Sequence, residues 1–401
     1  MRRIEYPDPN RMNTLLTEYI GIFTSNLTTM QNDWNGLRDS LRQLSKNPTP
    51  QSVYPDRIDG IFVKSYPELV DMYLDYIRIQ GVKSQKKEEA LHEALKKLFH
   101  YSGEKNAVVQ AYQPKIAEFF MKHSKELGIS VCYYCETSFI NTYGFSDIYK
   151  DVASFLVNAD KDMLKRYVRN ENDEEYSDKT ITEIYKECRG KDIGTVVGTF
   201  DRCRYFKNMI PKKSERIKHL LHNHFDLDHF LPKSLCPLVG LSFYNFVPSC
   251  SVCNEKLKGA DRIGKTDKQK LLQLSPTSEQ YRFEQEIRLK IDYHSTAQTL
   301  RMQEHPDDFR LEFCPKGNVY QEIVTEFRLD ERYNYHKQIA LKLHDLYQDF
   351  SPGHISQLAN MFSGVKSKEE IECQIFRGEY TEDNARCFDK LKRDIKRQSG
   401  R

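Results

Sequence analysis

Most of the residues able to do chemistry in this chain sit in one short stretch, Phe225 to Gly259, which reads FDLDHFLPKSLCPLVGLSFYNFVPSCSVCNEKLKG. Asp228-His229 closes a short apolar run, as the end of a strand does. Asn245 opens a second run, Asn245-Phe246-Val247-Pro248, and Cys250-x-x-Cys253 follows it. Asn254 then starts a predicted helix that carries Lys256 and Lys258. A strand, a loop, a strand and a helix would fold these groups into one pocket. Asp228 and Asn254 bring oxygen ligands suited to a hard divalent cation. A neutral His229 beside them can take a proton from water near neutral pH. Together they are equipment for metal-assisted hydrolysis of a phosphodiester. Asp226 lies two residues before Asp228 and so on the same side of a strand, as an auxiliary carboxylate. His224, next to that strand, could add a metal ligand or a hydrogen bond to a phosphate.

The cysteines set the frame. Cys132-Tyr-Tyr-Cys135 and Cys250-Ser-Val-Cys253 are two C-x-x-C knuckles, and four thiolates make the closed tetrahedral set of a structural zinc site. A single knuckle could equally be redox-active. The second is fused to the Asp-His…Asn pattern, which points to zinc. A strand–strand–helix unit alone is too small to bury a real core, so a metal staple would matter here. The other six cysteines, 188, 203, 236, 314, 373 and 387, show no paired spacing and read as buried or free thiols in a reducing compartment.

At these residues the chain resembles the HNH (ββα-metal) endonucleases. The family pattern of Asp-His, then Asn, then a last His or Asn beside the final cysteine maps onto Asp228-His229, Asn245 and Asn254. The resemblance implies His229 as general base, Asp228 and Asn254 as ligands of a catalytic Mg²⁺ or Mn²⁺, and Asn245 as the residue holding the loop between the strands. It covers Phe225 to Gly259 plus the distant first knuckle. The opening Met1-Arg-Arg-Ile4, the C-Y-Y-C-E knuckle and Asp-His-Phe-x-Pro-Lys also resemble HNH nucleases of bacterial anti-phage defence systems of the Septu type. That likeness implies a DNA-cutting effector controlled by a separate ATPase subunit, and the chain has no Walker-type phosphate loop of its own. A sequence-specific restriction endonuclease and a ribonuclease are alternatives within the enzyme class. A zinc-stabilised module that binds nucleic acid or a partner protein without cutting is the alternative outside it.

The remaining sequence must position this site. With 401 residues there is room for two or three domains, and 39% hydrophobic content suffices for ordinary cores. No apolar run approaches the length of a membrane span, and the first residues, MRRIEYPDPN, lack the apolar region of a secretory signal, so a cytoplasmic, non-membrane protein is expected. A net charge of only +3 leaves nucleic-acid contact to local groups. Lys212, Lys213 and Arg216 before the motif, and Lys256 and Lys258 within it, are the candidates, followed by the basic tail from Lys390. The expected fold is α+β and mainly helical. A helical N-terminal region (1–130) precedes a zinc-stabilised ββα-metal nuclease core (131–262) with a long insertion (136–224) between its knuckles. A small antiparallel sheet and helices follow (263–401). Trp34, Leu37, Leu41 and Leu44 recur at helical spacing, and Ser65-Tyr-Pro-Glu68 has the form of a capping box. Ile287 to Tyr293 and Phe309 to Phe313 alternate as half-buried strands, and Leu329 to Phe350 returns to helix period.

Overall fold

The computed structural model describes residues 1–81, 85–101, 112–144, 152–168, 174–192, 221–258, 263–293, 301–362, 365–376 and 387–399. The architecture is α+β and mainly helical. Among the described residues the strands form three antiparallel pairs. β1 (Thr142–Gly144) pairs with β2 (Leu221–Asn223), β3 (Asp226–His229) with β4 (Phe246–Ser249), and β5 (Ile287–Tyr293) with β6 (Phe309–Pro315). The chain divides into two compact units, one of Met1–Ile140 with Phe225–Arg401 and one of Asn141–His224.

In the first unit the N-terminal helices start where local chemistry dictates. Asp8 caps the helix Pro9–Gly21 by accepting the Asn10 and Arg11 N–H groups at 3.0 and 3.1 Å, with Pro9 in the first turn. The helix Leu27–Leu44 buries Trp34 and Leu41, and the Trp34 indole N–H donates to the Pro55 carbonyl at 2.9 Å. Leu44, the last member of the stripe, is exposed. Only half of the expected capping box forms before the helix Tyr66–Gly81. Glu68 accepts the Ser65 N–H at 3.0 Å, but the Ser65 hydroxyl also donates to Glu68 at 2.6 Å.

These helices wrap the connection between β3 and β4. That connection is two 3₁₀ turns, Pro237–Leu241 and Phe243–Asn245. Tyr19 donates to the Leu241 carbonyl at 2.9 Å, and Ser242 donates to the Ile61 carbonyl at 3.0 Å. Phe243 lies against Tyr19, Phe119 and Phe120, stacked on the last at 5.5 Å. The N-terminal region therefore forms the hydrophobic mould in which the β3–β4 loop is set.

The β5–β6 ribbon would be marginal alone and leaves two open edges. Side chains from two helices close both. Asp394 and Gln398 of the C-terminal helix Asp389–Gln398 accept the Leu289 and Ile291 N–H groups at 2.8 and 3.1 Å. Asn334 and Asp330, one turn apart on the helix Leu329–Tyr335, accept the Leu311 and Phe313 N–H groups at 2.8 Å each. The helix expected over Leu329 to Phe350 is broken at His336, with a second helix from Lys337 to Asp349.

The basic tail is not a free patch. Lys390 is fully buried, donating to Asp394 at 2.7 Å and to the Ile287 carbonyl at 2.8 Å. Arg393 and Arg397 are held by Glu284. The positive charges near the C-terminus hold the ribbon to the helix.

The second unit has its own small core. The helices Val152–Asn158, Lys161–Tyr167 and Asp178–Cys188 bury Leu156, Leu164, Ile181, Ile184 and Cys188. Ser177 caps the third by accepting the Thr180 N–H at 3.3 Å. Among the described residues no helix is long and apolar enough to cross a membrane.

Candidate active site on a four-cysteine anchor

Cys132, Cys135, Cys250 and Cys253 are buried together, with all four sulfurs within 4.8 Å of one another. A tetrahedral zinc with bonds near 2.3 Å needs sulfurs about 3.8 Å apart, so this cluster could hold a metal ion such as zinc. The first knuckle turns at Glu136, which adopts a left-handed backbone (φ 52°). Its carboxylate accepts the Lys390 N–H at 3.0 Å and pairs with the Met1 amino group at 2.5 Å. Arg332 donates to Cys253 Sγ at 3.1 Å and to Cys135 Sγ at 3.2 Å, and its charge suits thiolates. Hydrogen bonds among the four cysteines lower the Cys250 thiol and raise that of Cys253, while burial raises that of Cys132.

The second knuckle carries the hairpin. In the β3–β4 register Asp226 faces Ser249, Asp228 faces Val247 and His229 faces Phe246. Tyr133 of the first knuckle ties to β4 through its N–H and the Pro248 carbonyl at 3.4 Å. The segment Val252–Lys258 completes a strand–strand–helix unit, as a π-helix rather than an α-helix. Its wider turn rotates each residue less than an α-helix does, which changes how Lys258 is placed relative to Asn254.

Asn245 closes the loop between the strands. Its carboxamide oxygen accepts the Leu231 N–H at 2.8 Å, and its nitrogen donates to the Leu231 and Val239 carbonyls at 2.9 and 3.0 Å. That loop brings the Gly240 carbonyl to 2.9 Å from His229 Nε2. A carbonyl only accepts, so Nε2 carries the proton and Nδ1 keeps the lone pair. Burial, helped by the nearby Lys233 charge, drops the imidazole to about 3. His229 is therefore neutral at physiological pH. Its ring meets Tyr101 edge-on at 4.7 Å, and the Lys233 ammonium lies 4.1 Å from the centre of the Tyr101 ring.

Asp228 points to the other face of β3. Its carboxylate takes the Tyr134 hydroxyl at 2.5 Å and the Lys258 ammonium at 2.8 and 2.9 Å. Lys258 also donates to the His229 carbonyl at 2.9 Å. Tyr134 is stacked on Phe327 at 4.4 Å, so it is fixed in place. The Asn254 side chain lies close to the Asp226 carboxyl. Burial raises the Asp226 carboxyl above the usual range, and the charges of Glu255 and Asp228 act in the same sense.

As they stand, Asp228 and Asn254 do not fit a shared divalent cation. The Lys258 ammonium already neutralises Asp228 through both carboxylate oxygens. Lys258, read as a possible phosphate contact, is buried on Asp228, while Lys256 is exposed. His224 is exposed and belongs to the Asn141–His224 unit. Lys212, Lys213 and Arg216 lie outside the described residues. Four residues of this site were not singled out for a role in it from the sequence: Tyr101 and Arg332, which match no motif, Lys233, which ends the Asp-His-Phe-x-Pro-Lys stretch, and the hydroxyl of Tyr134. The Asp-His-Phe-x-Pro-Lys context of Lys233 and the C-Y-Y-C context of Tyr134 were the signals the sequence offered. No known protein family, curated protein or solved structure matches this chain.

Proposed function

We propose that this chain is a metal-dependent endonuclease of the HNH type that hydrolyses phosphodiester bonds of DNA, with His229 activating the attacking water. The observation that carries the reading is the state of His229. Its Nε2–H is held by the Gly240 carbonyl, so the imidazole presents the Nδ1 lone pair in one fixed direction. That is what a general base requires of its orientation. The other residues support this role. Asn245 fixes the loop that presents Gly240, and the four cysteines hold the hairpin that presents His229. Lys233, partly buried beside Tyr101, supplies a positive charge to a phosphate brought to His229. Magnesium or manganese would supply Lewis-acid stabilisation of the developing charge when bound.

The resemblance to defence nucleases supports a role as effector in a bacterial anti-phage complex, with an ATPase partner controlling the cutting. Co-purification of the native complex tests that role. A module that binds nucleic acid or protein without cutting has one observation in its favour, the neutralised Asp228. Cleavage of supercoiled plasmid by the zinc-loaded chain separates the readings. Nicking is expected with Mg²⁺ or Mn²⁺, to be abolished by EDTA and reduced at least about a hundredfold in His229→Ala. If neither DNA nor RNA is cut, with or without the co-purified partner, the nuclease reading fails.

A further inference from the structure

We propose that the divalent cation of this site is held by Asp226, Ser249 and Asn254 at the end of the β3–β4 hairpin, and that Asp228 serves as a structural anchor for Lys258 rather than as a metal ligand. The proposal rests on the nuclease reading above. It follows from where charge is already balanced in this unit and where it is not.

Asp228 is balanced. Lys258 is only 3% exposed, and its bonds to both carboxylate oxygens and to the His229 carbonyl match its three N–H donors. The Tyr134 hydroxyl adds a fourth donor to the group. A cation entering here would have to expel a buried ammonium and leave it and the His229 carbonyl without partners, a large penalty.

Asp226 is not balanced. It stands directly opposite Ser249 in the antiparallel register, and residues so opposed project from the same face. Asp226 Oδ2 and Ser249 Oγ are both shut off from solvent, and both lack a hydrogen-bond partner. Ser249 itself is fully buried. Buried polar atoms without partners are rare in native proteins, and here two oxygens share one face. An anionic oxygen and a hydroxyl oxygen are ligands for a hard cation. The Asn254 amide lies close to the Asp226 carboxyl, and its orientation can present the carboxamide oxygen to the same cation.

The test is Mn²⁺ binding to the full-length, zinc-loaded chain, followed by the electron paramagnetic resonance signal of free Mn²⁺. A His229→Ala background prevents turnover. Asp226→Asn should weaken Mn²⁺ binding at least tenfold, and Ser249→Ala should weaken it several-fold. The paired change Asp228→Asn with Lys258→Met, which removes both charges together, should alter it less than twofold. Zinc content and circular dichroism establish that each variant is folded, and Asp226→Ser replaces Asp226→Asn if the latter is not. Loss of Mn²⁺ binding in the paired variant with retention in Asp226→Asn overturns the proposal, as does absence of Mn²⁺ binding by the parent. Metal-dependent plasmid cleavage by the wild type alongside either result would leave the nuclease reading standing and sink the metal assignment alone.

Discussion

The cysteine cluster and the Asp228 carboxylate are both buried within one small unit, yet they differ in how a negative charge there is met. Around the four sulfurs the cationic donor is Arg332, which reaches Cys253 and Cys135 from one side. One guanidinium cannot balance several thiolates, so the centre suits a dication. At Asp228 a full ammonium and a phenol occupy the carboxylate at 2.5–2.9 Å. One anion with one buried cation is already neutral. The lesson is that a carboxylate beside a histidine in sequence is not by itself a metal site. What decides is whether the fold has already supplied the counter-charge.

Metal removal would break this comparison most severely. Structural zinc contributes on the order of 10 kcal/mol or more to small zinc domains, as much as a typical domain's whole stability. Cys253→Ser, or chelation of the wild type, is therefore expected to abolish the native fold of the hairpin unit, read by zinc content and thermal melting. An unchanged melt after full zinc removal would mean that the cysteines are ordinary buried thiols.

Next in size is the Asp228–Lys258 pair. Removing one partner leaves an uncompensated buried charge, so Lys258→Met or Asp228→Asn alone should cost about 3–5 kcal/mol. The double variant should recover most of that loss. Urea denaturation of all four forms measures the coupling. Additive losses would show that the two groups do not neutralise each other.

The smallest effect concerns the next residue, on the opposite face of β3. Burial holds the His229 imidazole at about 3, below its ordinary 6.5. The unfolded chain therefore binds a proton that the folded chain refuses as pH falls below about 6.5. The contribution to stability is fully present above that pH and is lost progressively down to about 3. Between pH 7.5 and 5 the wild type should lose about 2 kcal/mol more than His229→Gln, by urea denaturation at each pH. Equal losses would mean that His229 is not buried in its neutral form. Zinc release in acid affects both proteins and cancels in the difference.

Much of this site was legible because its chemistry is local. The two C-x-x-C knuckles announced the cluster by their spacing, and the structure brings their four sulfurs together. The strands could be read from alternation, as with Ile287, Leu289 and Ile291, buried in turn along β5. Asn245, the last residue before β4, holds the 230–245 loop through hydrogen bonds of its carboxamide to Leu231 and Val239. The basic tail was not legible. Lys390 and Arg393 look like a solvated charge run until Asp394 and Glu284 are brought beside them.

By itself the sequence determined the helices, the strand pairs with clear alternation, the thiol set and a neutral-capable histidine next to carboxylates. These follow from side-chain period and residue type, which act over a few positions. Only the tertiary structure decided how charges separated along the chain are paired. Arg332 reaches the cysteines of both knuckles, Tyr134 reaches Asp228 from the first knuckle, and a π turn brings Lys258 onto Asp228. Each of these depends on desolvation, since a charge pair matters most where water is excluded, and burial is a property of the packed whole rather than of any local segment.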